Sequence, residues 1–150
     1  MLPIENLLII ATDFRKAFEA SDLSRAPGFL PHFPEGCCSW ATWMIGHFLK
    51  FEMCQSVEEI NAERASLSGT LPHAWLSADG IIIDITSDEF EDSEARVIVS
   101  RNSDWHKTWS IVQTIEIQRI DTYDKIGIDR RPSDIYESLV TSLRLKHVHT

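Results

Sequence analysis

Apolar residues Ile4, Leu7, Leu8, Ala11, Phe14 and Phe18 recur at helical spacing behind Pro3. Proline suits a first helical position, so an amphipathic helix is expected over residues 3 to about 20. Residues 26 to 36 carry three prolines and two glycines and read as a loop. A second helical stripe, Ala41, Met44, Ile45, Phe48 and Leu49, predicts a helix from near Cys38 to about Met53. The period then shortens. Val57 to Arg64 is a weak strand candidate, and His73–Ala78 and Ile81–Thr86 flank Asp79-Gly80, a strong hairpin signal between apolar runs. Ala95–Ser100 and Ile111–Ile120 are rich in Val and Ile and read as two further strands. Pro132 with Ser133 or Asp134 is expected to cap a last helix with the stripe Ile135, Leu139, Val140 and Leu143. The pattern predicts one α+β domain over residues 1–150, an antiparallel sheet with N- and C-terminal helices.

The hairpin register carries the first chemical expectation. With a two-residue Asp79-Gly80 loop, Ala78 faces Ile81, and one face of the ribbon carries Ala74, Leu76, Ala78, Ile81, Ile83 and Ile85, uniformly apolar. The other face carries His73, Trp75, Ser77, Ile82, Asp84 and Thr86. His73 then lies diagonal to Asp84, roughly 7 Å away between backbones and within side-chain reach. A three-residue loop would separate the two, but it would also align apolar with polar positions. A carboxylate beside an imidazole can fix its tautomer and support its positive charge, the orienting pair of nucleophilic catalysis.

Composition narrows the partners. Fourteen Lys plus Arg against 23 Asp plus Glu give a net charge of -9. Nucleic acid draws most of its affinity from basic contacts to phosphate, so nucleic-acid and anionic-membrane partners are not expected. No stretch approaches the roughly 20 apolar residues of a membrane span. The run Leu7-Leu8-Ile9-Ile10 is too short for a signal and is flanked by Glu5 and Asp13, so a cytoplasmic protein is expected. Three cysteines are too few for a disulfide framework and raise the question of a reactive thiol.

Cys38 is the leading nucleophile, because it opens a helix after Gly36, where unpaired backbone N–H groups and the helix dipole favour negative charge. The dipole contributes at most about 2 kcal/mol, so a cationic partner is needed, and His73 could supply it. Cys37 is the rival, turned about 100° away on the same helix. Cys54 would lie some 24 Å along a continuous helix from Cys38 and is expected to be structural. His47 is nine residues along that helix. His32, His106, His147 and His149 have no predicted carboxylate beside them. Zinc-ligand spacings such as Cys-x-x-Cys are absent, so neither a metal nor another cofactor is expected. His147-Val148-His149 reads as a frayed terminus. Trp40 and Trp75 are candidate walls of a substrate groove, and the run Asp88 to Glu94 reads as a solvated acidic loop that would favour a basic peptide if it rims the cleft.

Gly36-Cys37-Cys38 before a helix, then His73-Ala74-Trp75, then Asp84-Ile85-Thr86, resembles the core of the transglutaminase-like branch of the papain-like cysteine enzymes. The likeness covers residues 33 to 90. It implies a central helix bearing the cysteine, packed on an antiparallel sheet. It also implies Cys38 as nucleophile, His73 as general base and acid, and Asp84 as its orienter, in acyl transfer on an amide of a peptide or protein. Phe33-Pro34-Glu35-Gly36-Cys37-Cys38 together with Asp84 to Phe90 is also similar to small bacterial proteins of unassigned substrate, which usually carry Gln where Glu89 stands. A second expectation keeps the fold without the chemistry: a binding or inhibitory module that recognises a protein partner.

Overall fold

A computed structural model describes residues 1–126 and 129–147. The first helix, α1 (Ile4–Ala20), begins one residue later than expected. Pro3 stands before it, and its carbonyl accepts the N–H groups of Asn6 and Leu7. Leu7, Ile10, Ala11, Phe14 and Phe18 are buried along one face, whereas Leu8, placed in the stripe by its spacing, is exposed. Arg15 is buried among them, because its guanidinium spans from the Ile85 carbonyl at 2.7 Å to both oxygens of Asp88 at 2.7 and 2.9 Å.

The second helix, α2 (Cys38–His47), widens into a π turn over Phe48–Glu52 before the chain leaves it. Gly46 lets Ile117 approach closely: a Cβ there would meet the Ile117 side chain at 2.8 Å. Beyond the π turn Cys54 adopts a left-handed φ of 55° and is exposed. The continuous helix expected to carry Cys54 ends before it, and this thiol faces solvent rather than a packed interior.

Five strands follow, β1 (Glu58–Ser66), β2 (Gly69–Ala78), β3 (Ile81–Asp84), β4 (Ile98–Ser100) and β5 (Ser110–Glu116), in the order β4-β3-β2-β1-β5. Every pairing is antiparallel. Ala78 pairs with Ile81, Ser77 with Ile82 and Leu76 with Ile83, which is the register of the two-residue Asp79-Gly80 loop. Both loop residues take positive φ, 51° and 82°, as a tight hairpin requires. The fifth strand stops at Glu116, so Ile117 and Ile120 leave the sheet and enter the core. A short helix, α3 (Asp104–Lys107), precedes it, with the Ser103 side chain accepting the His106 N–H.

The last helix, α4 (Pro132–His147), buries Ile135, Tyr136, Leu139, Val140 and Leu143. Its first turn is capped from a distance: the N–H and Oγ–H of Ser133 donate to Asp124 at 2.9 and 2.6 Å. Asp134, a sequence candidate for that cap, instead pairs with Arg131 on the surface. His147 is not frayed but lies 2.9 Å from Asp13, while Val148 and His149 fall outside the described residues.

Two apolar clusters result. The larger gathers α1, α2 and α4 against Leu76, Ala78, Ile81, Ile83 and Ile85. A smaller one, Ile60, Ala62, Trp75 and Trp109, forms on the hairpin face that bears His73 and Asp84. The molecule is thus α+β, an antiparallel sheet with flanking helices. Among the described residues, no helix is long and apolar enough to cross a membrane.

Candidate functional site

The hairpin brings His73 and Asp84 together as its register requires. His73 Nε2 lies 2.7 Å from Asp84 Oδ2, and both side chains are buried. The other carboxylate oxygen, Oδ1, accepts the Thr86 N–H at 2.9 Å. Oδ2 has a second partner: His106 Nε2, also at 2.7 Å. Nδ1 of that imidazole lies 2.6 Å from Ser103 Oγ. Burial alone would raise the Asp84 pKa, but bonds to His106 and His73 outweigh it and hold the carboxyl far below its usual range. An ionised Asp84 accepts, so both imidazoles carry hydrogen on Nε2.

His106 corrects the sequence reading, which found no carboxylate beside it. Ser103-Asp104-Trp105-His106 contains a usable local signal, a serine cap one turn before a histidine, but nothing in the segment says where the short helix docks. The docking is aromatic: His106 packs edge-on to Trp75 at 4.6 Å, and His73 is ringed by Phe90, Trp105 and Trp109 at 5.0, 5.5 and 5.3 Å.

Cys38, at the first turn of α2, stands on the other side of His73. Cys38 Sγ, a His73 ring nitrogen and a Glu89 carboxylate oxygen all lie within 4.8 Å of one another. Since Nε2 is committed to Asp84, Nδ1 is the ring nitrogen left for this contact, and it is buried without a hydrogen-bond partner. Burial pulls the His73 pKa down. The hydrogen bond and charge of Asp84, with a further contribution from Cys38, override that and push it up to about 10.

Cys37 is unlike its neighbour. It is fully buried, its sulfur lies 3.1 and 3.2 Å from the carbonyls of Phe29 and Glu35, and burial with nearby acids pushes its thiol up to about 12. A single step along the chain, from the N-cap into the helix, separates a thiol bonded inward from one that lines a cavity. Gly36 makes the entry possible, with φ +67° and the Phe29 ring 2.8 Å from where a Cβ would be.

The cavity beside Cys38 measures about 550 Å³ and is bounded by His73, Glu89, Asn61, Glu63 and Phe90 among others. Trp40 and Trp75, expected as groove walls, do not line it. Trp40 packs edge-on to Trp43 and Tyr123, and Trp75 is buried in the smaller cluster. The acidic run is solvated in part: Glu91, Asp92 and Glu94 are exposed, whereas Asp88 and Glu89 are half-buried. Asp88 is taken by Arg15 and Asp92 by Arg64, and Glu89 points into the site. Glu89 was unreadable as a site residue because it sits among five acids of one run. Burial pushes its pKa up to about 7, against the pull of His73 and of a Gly36 N–H, and one of its oxygens, Oε2, is buried without a partner.

A buried base tied to a carboxylate, a thiol at a helix start and an adjoining cavity together form a constellation suited to nucleophilic chemistry. No family model, curated protein or solved structure matches the chain.

Proposed function

We propose that this protein is a thiol-dependent acyl-transfer enzyme acting on an amide of a peptide or protein, with Cys38 as nucleophile, His73 as base and acid, and Asp84 as orienter. One observation carries the reading. A single imidazole has one nitrogen bound to a buried carboxylate at 2.7 Å and its other nitrogen, unpartnered, turned to a cavity-lining thiol. The helix that starts on Cys38 packs beside the strand that carries His73, in keeping with a papain-like or transglutaminase-like core.

In the forward step the Cys38 sulfur bonds to the amide carbon with the proton of the pair held on His73, whose pKa of about 10 keeps it protonated at neutral pH. The C–N bond then breaks as His73 returns that proton to the departing nitrogen. A thioester remains, which water or an amine resolves by the reverse exchange. The N–H groups at the very start of α2, ahead of Ala41, whose own N–H is taken by the Cys37 carbonyl at 2.9 Å, have no acceptor one turn back in the helix and would hold the developing oxyanion. Hydrolysis is favoured over transfer, because among the described residues no second-substrate site is evident beside the thiol. The cavity wall carries Glu63 and Glu89 and no Lys or Arg, which suits a neutral or basic substrate.

Iodoacetamide near neutral pH tests the reading. Cys38 should be alkylated faster than Cys37 or the exposed Cys54, and about 10²-fold more slowly in His73→Gln, the lower end of what a positioned base contributes. Equal, slow labelling of all three thiols would overturn it.

A further inference from the structure

Two trios of potential metal ligands meet around His73, and their spacing separates them. His73, Asp84 and His106 converge on one oxygen, with both nitrogens at 2.7 Å from it. Tetrahedral zinc, with bonds of about 2.0 Å to nitrogen or oxygen and 2.3 Å to sulfur, holds its ligand atoms roughly 3.3–3.6 Å apart. The first trio is therefore too tight, and its facing atoms are already joined by hydrogen bonds. Cys38, His73 and Glu89 differ in both respects. Their ligand atoms lie within 4.8 Å of one another, so the three side chains need to converge further to reach ligand spacing. Two of the atoms that would bind, His73 Nδ1 and Glu89 Oε2, are buried and have no partner.

We propose that Cys38 Sγ, His73 Nδ1 and the Glu89 carboxylate bind one Zn²⁺, with the fourth position open to the cavity, and that the ion closes the thiol to electrophiles. Sulfur, imidazole and carboxylate are the ligand types zinc takes. Asp84 supplies what a zinc-binding histidine needs behind it, an acceptor on the opposite ring nitrogen that fixes tautomer and orientation. His106, bound to the same Asp84 oxygen, holds that acceptor in place. On binding, zinc forms the S–Zn, N–Zn and O–Zn bonds, and the proton shared by the thiol and the imidazole leaves to solvent together with the proton of any protonated Glu89 carboxyl. No redox change is involved. The site is a reversible lock on the nucleophile, and it stands whether or not Cys38 turns over a substrate.

Co²⁺ added to the reduced protein is the probe, read by its sulfur-to-cobalt absorption and displaced by Zn²⁺. The band should form in the native protein and in Cys54→Ser and vanish in Cys38→Ser. Glu89→Gln, nearly isosteric, should keep the fold by circular dichroism and lose affinity by at least about tenfold, the least that even an outer partner of a metal site contributes. Zn²⁺ should slow alkylation of Cys38 in the native protein and far less in Glu89→Gln. A band that survives in Cys38→Ser, or equal affinity in Glu89→Gln, overturns the proposal. Alkylation without metal reads the nucleophile separately, so a reactive thiol that binds no zinc and a zinc site with a sluggish thiol are distinguishable outcomes.

Discussion

A buried histidine stands at each end of α2, His73 of β2 beside its start and His47 in its own last turn, and the two are tuned in opposite directions. At the start of the helix His73 meets a carboxylate and is pushed up to about 10, against the effect of its own burial. At the far end His47 is equally hidden, and its Nδ1 accepts the Ile120 N–H at 2.9 Å. Burial, reinforced by Arg119, lowers its pKa. A backbone donor needs a neutral ring, whereas a carboxylate rewards a charged one. The surroundings differ in the same sense. Around His47, Tyr136 stacks edge-on, and its hydroxyl donates to Glu52, which also binds Arg144 at 2.6 Å. Around His73 two buried polar atoms, its own Nδ1 and Glu89 Oε2, are left open beside a cavity. One end of the helix is satisfied and structural; the other keeps unspent bonding capacity, which is what chemistry requires.

Removing the carboxylate should break the contrast most severely. Asp84→Ala strands two imidazole N–H groups in a closed interior and should cost about 3–5 kcal/mol in urea unfolding. A loss below 1 kcal/mol would mean that the network contributes little to holding the site. At the other end, His47→Leu leaves the Ile120 N–H buried without an acceptor and should cost about 1–3 kcal/mol. That difference is pH-dependent with a definite sign. The folded pKa lies below the ordinary 6.5, so the native state binds fewer protons than the unfolded chain. The His47 contribution is complete above 6.5 and is lost as pH falls through the folded value. Native and His47→Leu stability curves should therefore converge on the acid side; parallel curves would contradict a neutral His47. The smallest effect belongs to Cys54→Ser, an exposed thiol remote from both ends, which should change stability by no more than about 0.5 kcal/mol.

Local period and turn chemistry explain what was legible beforehand. Asp79-Gly80 fixed the loop length, loop length fixed parity, and parity put His73 and Asp84 on one face. Cys37 and Cys38 point apart as expected, although Cys37 precedes the helix as its N-cap instead of lying on it. Residues that reach the site through docked loops were missed. His106 arrives on a helix of one turn whose place is set by Trp75, and Glu89 resembles its acidic neighbours until packing selects it. Cys54 was misread because the π turn and a left-handed residue end a helix whose apolar spacing continues. Trp40 shows the converse: tryptophans near a nucleophile suggested a groove, and packing against Trp43 and Tyr123 claimed this one.

The shared oxygen of Asp84 has a consequence for observation. Two imidazole N–H bonds end on it in an interior where the His73, His106 and Asp84 side chains are 0, 2 and 1% exposed. Deuterium from bulk water reaches such hydrogens only when the site opens. They form a substrate-free clock for the integrity of the site: the lifetimes of two ring protons report how often the hairpin, the short helix and the aspartate part company.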